Sequence, residues 1–154
     1  MNLRLSLNGA KALIAGDPWI LPQSQLSFRL PPAAGTLLRV QDMNGDFLGW
    51  CVSEGPQANP AFRILKRERK MDFGASWWAA QVEQSLAKRR ALALPEGPRR
   101  LIHGEADGLP GLSAEISDGV ALLSYASLGL ATYGDLIEAA LLQQARLRGL
   151  WRRH

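Results

Sequence analysis

Arg100-Leu101-Ile102-His103-Gly104-Glu105-Ala106-Asp107-Gly108-Leu109-Pro110-Gly111-Leu112 is the most ordered stretch of this chain. Leu101-Ile102-His103 reads as a strand, and Gly104, Gly108, Pro110 and Gly111 then shape a turn. Leu112 to Ile116 and Val120 to Tyr125 follow as strands, joined at Asp118-Gly119 into a hairpin. Upstream, Trp78, Val82, Leu86 and Leu92–Leu94 suggest a helix that starts at the N-cap type Ser76 and ends before Pro95. Downstream, Thr132 with Asp135 three residues later resembles a capping box, and Leu136, Ile137, Ala140, Leu141 and Ala145 share one helical face. The second half therefore reads as α+β.

The first half has a different texture. Leu3, Leu5 and Leu7 alternate with polar residues as on a half-buried strand, and a short helix, Ala10 to Ala15, is stopped by Gly16-Asp17-Pro18. Leu26, Phe28 and Leu30 alternate again. Thr36 to Gln41 and Phe47 to Ser53 flank the tight turn Asn44-Gly45, and Phe62, Ile64 and Leu65 make a last short strand. Short strands with turn residues between them point to a small β-barrel.

With 154 residues and 47% hydrophobic content the chain can bury a core, as one medium domain or two small ones. The single cysteine, Cys51, excludes an internal disulfide and a cysteine-rich zinc site, and fits a reducing compartment. Cys51 sits in a predicted hairpin strand, where core packing outweighs nucleophilic chemistry. The apolar stretches are too short to cross a bilayer, and Met1-Asn2-Leu3-Arg4 does not open a secretory signal, so a cytoplasmic protein is expected. Residues 1–74 hold nine Lys/Arg against six Asp/Glu, and the remainder nine against eight. That excess permits phosphate binding without demanding it.

Two stretches together resemble one family. Gly16-Asp17-Pro18-Trp19-Ile20, then Val40-Gln41-Asp42-Met43-Asn44-Gly45-Asp46-Phe47-Leu48-Gly49 and Arg63-Ile64-Leu65, are similar to the N-terminal PUA domain of SAM-dependent large-subunit rRNA cytosine-C5 methyltransferases. The run Arg100–Leu112 is similar to the hallmark of their central EEHEAD domain. The two occur in the family's order and cover nearly the whole chain. Three positions depart from its pattern: Asp17 stands for the usual His, Glu115 for an Asp, and residues 54–60 for a tract of aromatic, Asn-Pro and Ser residues.

The resemblance implies a PUA-like RNA-binding domain over residues 1–72 and an EEHEAD-like α+β domain over 73–154. It also implies ribosomal RNA as partner and pairing into a homodimer. Family members continue into a Rossmann-like domain that binds S-adenosylmethionine and carries a catalytic cysteine. No glycine-rich strand–loop–helix for that cofactor is found here, so this chain is expected to hold no cofactor and no metal, and to lack activity alone.

For RNA contact the expected residues are Lys11, Trp19, Arg63, Lys66, Arg67, Arg69 and Lys70. The cations would neutralise phosphates, although a basic run is also an ordinary solvated strand end. Trp19 either plugs the core or stacks on an unpaired base. Lys88-Arg89-Arg90 is a competing patch that a helix C-terminus explains without RNA. His103, Glu105 and Asp107 invite a catalytic reading, but carboxylates in glycine-shaped turns commonly accept backbone N–H bonds. A structural or RNA-facing loop is the better expectation. The alternatives are a dimerisation module and a stand-alone hydrolase using that loop.

Overall fold

The computed structural model describes residues 1–92 and 97–153. Its elements run β1 (Asn2–Arg4), α1 (Leu7–Ile14), β2 (Trp19–Ile20), β3 (Leu37–Gln41), β4 (Phe47–Ser53), β5 (Phe62–Lys66), α2 (Ala75–Ala91) and β6 (Arg99–His103). They continue with β7 (Leu112–Ser117), β8 (Val120–Tyr125), α3 (Leu128–Ala131), α4 (Gly134–Gln144) and β9 (Gly149–Arg153). The architecture is mixed α+β, in two compact units. One comprises Met1–Met71 with Leu128–Thr132, the other Asp72–Ser127 with Tyr133–His154.

The first unit is a five-stranded sheet in the order β1-β3-β4-β5-β2. β1 lies parallel to β3, and the other pairs are antiparallel. Leu3, Leu5, Leu13, Ile20, Leu38, Val40, Cys51 and Phe62 form its core. The expected strand through Leu7 ends early. Ser6 accepts the Gly9 N–H through its hydroxyl at 3.2 Å and turns the chain into α1, which leaves Leu7 exposed. The expected Leu26–Leu30 strand does not form either. The Gln25 side chain accepts the N–H groups of Ser27 and Phe28 and donates to the Phe28 carbonyl, taking over bonds a ladder would need. α3 comes from late in the chain yet packs on β4. A Cβ on Gly129 would stand 2.3 Å from the Ser53 carbonyl oxygen, so only glycine permits this approach.

The second unit is a four-stranded sheet, β6-β7-β8-β9. The β7–β8 turn has Asp118 and Gly119 both at positive φ (49° and 74°), as a tight two-residue hairpin requires. β8 returns through α4 to β9, which pairs with it in parallel. Trp78, Val82, Leu86, Ile102, Leu112, Leu123, Ile137 and Leu141 are buried, and Trp78 stacks on Tyr133 with ring centroids 4.6 Å apart. α2 begins two residues earlier than Ser76 suggested, with Gly74 as its cap and Asp72 accepting the Gly74 N–H. Leu94 and Pro95, where its end was expected, lie outside the described residues. The capping box at Thr132 does not form. Its hydroxyl donates to the Gly129 carbonyl at 2.8 Å and closes α3, while Asp135 pairs with Arg152.

Candidate nucleic-acid interface

Alternation on β3 and β4 turns Leu38, Val40 and Cys51 inward and leaves Arg39 and Trp50 on the other side of the sheet. Arg39 pairs with Trp50, and Trp50 with Lys66, so three strands contribute one row. Register shifts at Val40/Gln41 and Trp50/Cys51 kink the strands here. Gly49 makes the kink possible. Its φ is 156°, and a Cβ would approach the Lys66 carbonyl oxygen to 2.9 Å.

Phe47 lies beside this row. The Arg39 guanidinium sits 5.3 Å from the centre of its ring and the Arg69 guanidinium 5.5 Å. The Trp50 ring meets it edge-on at 6.2 Å, and the Trp50 indole N–H donates to the Arg69 carbonyl. Each such cation–ring contact contributes about 0.5–1 kcal/mol at a surface, a modest bias toward keeping both guanidinium groups near the ring. Neither Arg39 nor Arg69 forms an ion pair among the described residues. Guanidinium charge set against aromatic rings is the chemistry that engages phosphates and unpaired bases together.

The expected contact residues fall into different environments. Lys66 joins the Trp50 row and pairs loosely with Glu68 at 3.5 Å, and Arg69 joins the Phe47 cluster. Arg63 forms a buried pair with Glu54 at 3.0 Å and covers the Trp19 ring at 5.8 Å. Trp19 is 47% exposed, so it is no core plug. Arg67 donates to the Leu13 carbonyl at 2.7 Å and ties down the last turn of α1. Lys11 and Lys70 are exposed. Sequence reasoning missed Arg39 and Trp50. Their signal was the hairpin register, since a two-residue Asn44-Gly45 turn sets Arg39 opposite Trp50, the pairing observed.

In the second unit His103, Glu105 and Asp107 do not converge. His103 and Glu105 are exposed, whereas the Asp107 side chain is 1% exposed. Asp107 receives both Arg89 Nη groups (3.2 and 2.5 Å), Lys88 Nζ at 3.1 Å and the His103 backbone N–H at 2.7 Å. Burial alone would raise its pKa, but the bonds from Arg89, His103 and Lys88 outweigh it and hold the carboxyl below its ordinary value. Lys88 and Arg89 are thus committed to this carboxylate, and Arg90 pairs with Glu83. Such a group cannot serve as a general base. No cluster of three or more metal-ligating side chains occurs among the described residues. Cys51 is fully buried, and burial pushes its thiol pKa up, away from nucleophilic chemistry. No helix of the described residues is long and apolar enough to cross a membrane.

No protein-family model matches the chain. A ribosomal RNA large subunit methyltransferase of Deinococcus radiodurans is 28% identical over 129 residues, 80% of this chain and 31% of that protein. Ribosomal RNA large subunit methyltransferase I of Alteromonas mediterranea is 28% identical over 130 residues, 82% of this chain and 32% of its own. The chain is similar to ribosomal RNA large-subunit methyltransferases. It spans just under a third of the length of these curated relatives. Among solved structures, a putative methyltransferase complexed with SAH superimposes with a TM-score of 0.86 at 17% identity, covering 99% of this chain and 40% of that one. A putative SAM-dependent methyltransferase from Streptococcus mutans gives 0.84 at 16% identity, with the same coverage. At such identities the likeness shows the fold.

Proposed function

We propose that this chain is the RNA-recognition portion of a SAM-dependent rRNA cytosine-C5 methyltransferase-family protein, cytoplasmic, with methyl transfer carried out by residues outside it. In this reading the first unit is a PUA-like domain that holds folded ribosomal RNA, and the second is an EEHEAD-like domain. The observation that carries it is Phe47 with both Arg39 and Arg69 against its ring, and Trp50 and Lys66 in the adjoining row. The similarity to rRNA methyltransferases supports it independently. Arg63 and Arg67 act here as scaffold, since Glu54 and the Leu13 carbonyl hold them. Asp107 is likewise structural.

Titration of the intact chain with a large-subunit rRNA helix–loop, by fluorescence anisotropy over a range of salt, tests the proposal. Each phosphate contact contributes about 0.7–0.9 to the slope of log K against log salt. The double variant Arg39→Ala, Arg69→Ala is expected to flatten that slope by about 1.5. Binding that keeps its slope in this variant, or that does not respond to salt at all, would remove the basis for the interface.

A further inference from the structure

α2 and α4 cover one face of the second unit's sheet; the other face is exposed, with Trp151 71% and Leu122 42% accessible. Register places two rows of side chains on it. One is Arg100, Glu115, Leu122 and Trp151; the other is His103, Ser113, Ser124 and Arg153. Strands lie about 4.8 Å apart, so each row spans roughly 14 Å. The second row opens onto a hollow of about 720 Å³, lined by the cations Arg100 and Arg153 and the His103 ring against one carboxylate, Glu105. The first row borders a hollow of about 610 Å³ lined by Val120, Leu122 and Trp151, and Arg100 belongs to both.

Arg100 is held in place. It donates twice to Glu115 Oε1 (3.2 and 2.7 Å) and once to His103 Nδ1 at 2.7 Å. A guanidinium can only donate, so Nδ1 accepts and the ring proton of neutral His103 resides on Nε2 as a further donor. Arg153 forms no ion pair among the described residues. The row therefore offers a cation, an N–H and the hydroxyls of Ser113 and Ser124 side by side, with an aromatic ring two residues from Arg153.

We propose that this face binds a single-stranded RNA segment, a base stacking on Trp151 and phosphates meeting Arg153, Ser113, Ser124 and His103. The proposal rests on the RNA-recognition reading and adds a second contact surface to it. The argument for RNA is the row of donors, with Arg153, the His103 ring N–H and two hydroxyls side by side next to an aromatic ring, because arginine beside an aromatic platform is what single strands engage.

The test is photocrosslinking of the intact chain to a short single-stranded oligoribonucleotide carrying 4-thiouridine, with peptide mapping, alongside affinities of point variants. Crosslinks to the peptides bearing Trp151 or His103 are expected. Trp151→Ala should weaken binding by about tenfold, Trp151→Phe should recover most of it, and Arg153→Ala should lower the salt slope by about 0.7. Trp151 is largely exposed, so these changes should leave the melting temperature nearly unmoved. Crosslinks confined to the first unit, with both variants binding normally, would overturn this surface and leave the RNA reading intact. Failure of the unaltered chain to bind any RNA would end both. Concentration-dependent sedimentation abolished by Trp151→Ala would assign the face to a second copy and also overturn the proposal.

Discussion

Replacing Asp107 by alanine removes the acceptor for three donors at once: Arg89, Lys88 and the His103 amide. Breaking a buried ion pair by deleting one partner costs about 3–5 kcal/mol. The Arg89 partner is well shielded, with 15% of its side chain exposed, while Lys88 at 53% contributes little beyond solvent-screened attraction. Arg89 also keeps one bond, to the Arg100 carbonyl, so the low end of the range, about 3 kcal/mol, is expected for Asp107→Ala. In a domain of this size each kcal/mol moves Tm by about 4–8 °C, which gives a fall of roughly 12–24 °C. Hydrogen exchange isolates the second unit: the His103 amide should exchange much faster in the variant. Glu105→Ala, at an exposed position of the same loop, should change stability by less than about 0.5 kcal/mol. Acid supplies a second arm. Asp107 titrates below its unfolded value of about 3.9, so its stabilisation is complete above that pH and disappears as pH falls through the depressed folded pKa. The gap between wild type and Asp107→Ala should therefore be constant from neutrality to about pH 5 and close in stronger acid. A cost under about 1 kcal/mol, or a gap that persists once the carboxyl is protonated, would refute the anchoring role.

Three further outcomes are expected. Gly129→Ala should destabilise the first unit by about 1–3 kcal/mol in denaturant titration, although glycine to alanine in a helix ordinarily stabilises; the sign reports the contact with the Ser53 carbonyl. Cys51 should stay silent toward a thiol-specific disulfide reagent in the native protein and react only as the chain unfolds, because burial disfavours its thiolate. Arg67→Ala should lower stability by about 1 kcal/mol through loss of its bond to the Leu13 carbonyl and hardly alter the salt slope of RNA binding, the reverse of Arg69→Ala.

Where pattern and turn chemistry agree, the sequence is a faithful guide. Phe47–Ser53 and Val120–Tyr125 are strands with the bounds their alternation suggests, and Asp118-Gly119 makes the turn its residues favour. The misreadings share a cause. Leu26, Phe28 and Leu30 alternate properly, but one glutamine side chain satisfies the backbone locally and no ladder is needed. Thr132 is a good cap residue whose hydroxyl is already engaged one turn back. β9 is hidden because Arg152 points toward α4, where Glu138 and Asp135 receive it, so the apolar alternation that marks a strand is missing. The candidate site shows the same limit. A basic run is legible as charge, yet the partner of Arg67 lies 54 residues away, and nothing local separates it from Arg69.

Pairing, rather than the number of cations, therefore governs what this chain can offer a polyanion. In the second unit Asp107 occupies Lys88 and Arg89, Glu83 occupies Arg90, Glu115 occupies Arg100, and Asp135 with Glu138 occupies Arg152. A strong acceptor such as Asp107 gains nothing by releasing Arg89 to a phosphate, because the exchange would leave a buried carboxylate alone. Of the eighteen Lys/Arg residues, those without a carboxylate partner among the described residues set the salt dependence. They include Arg39 and Arg69 beside Phe47 in the first unit and Arg153 on the exposed face of the second. A measured slope calling for more phosphate contacts than there are cations outside these pairs would thus mean that buried pairs open on binding, and hydrogen exchange at His103 would reveal it.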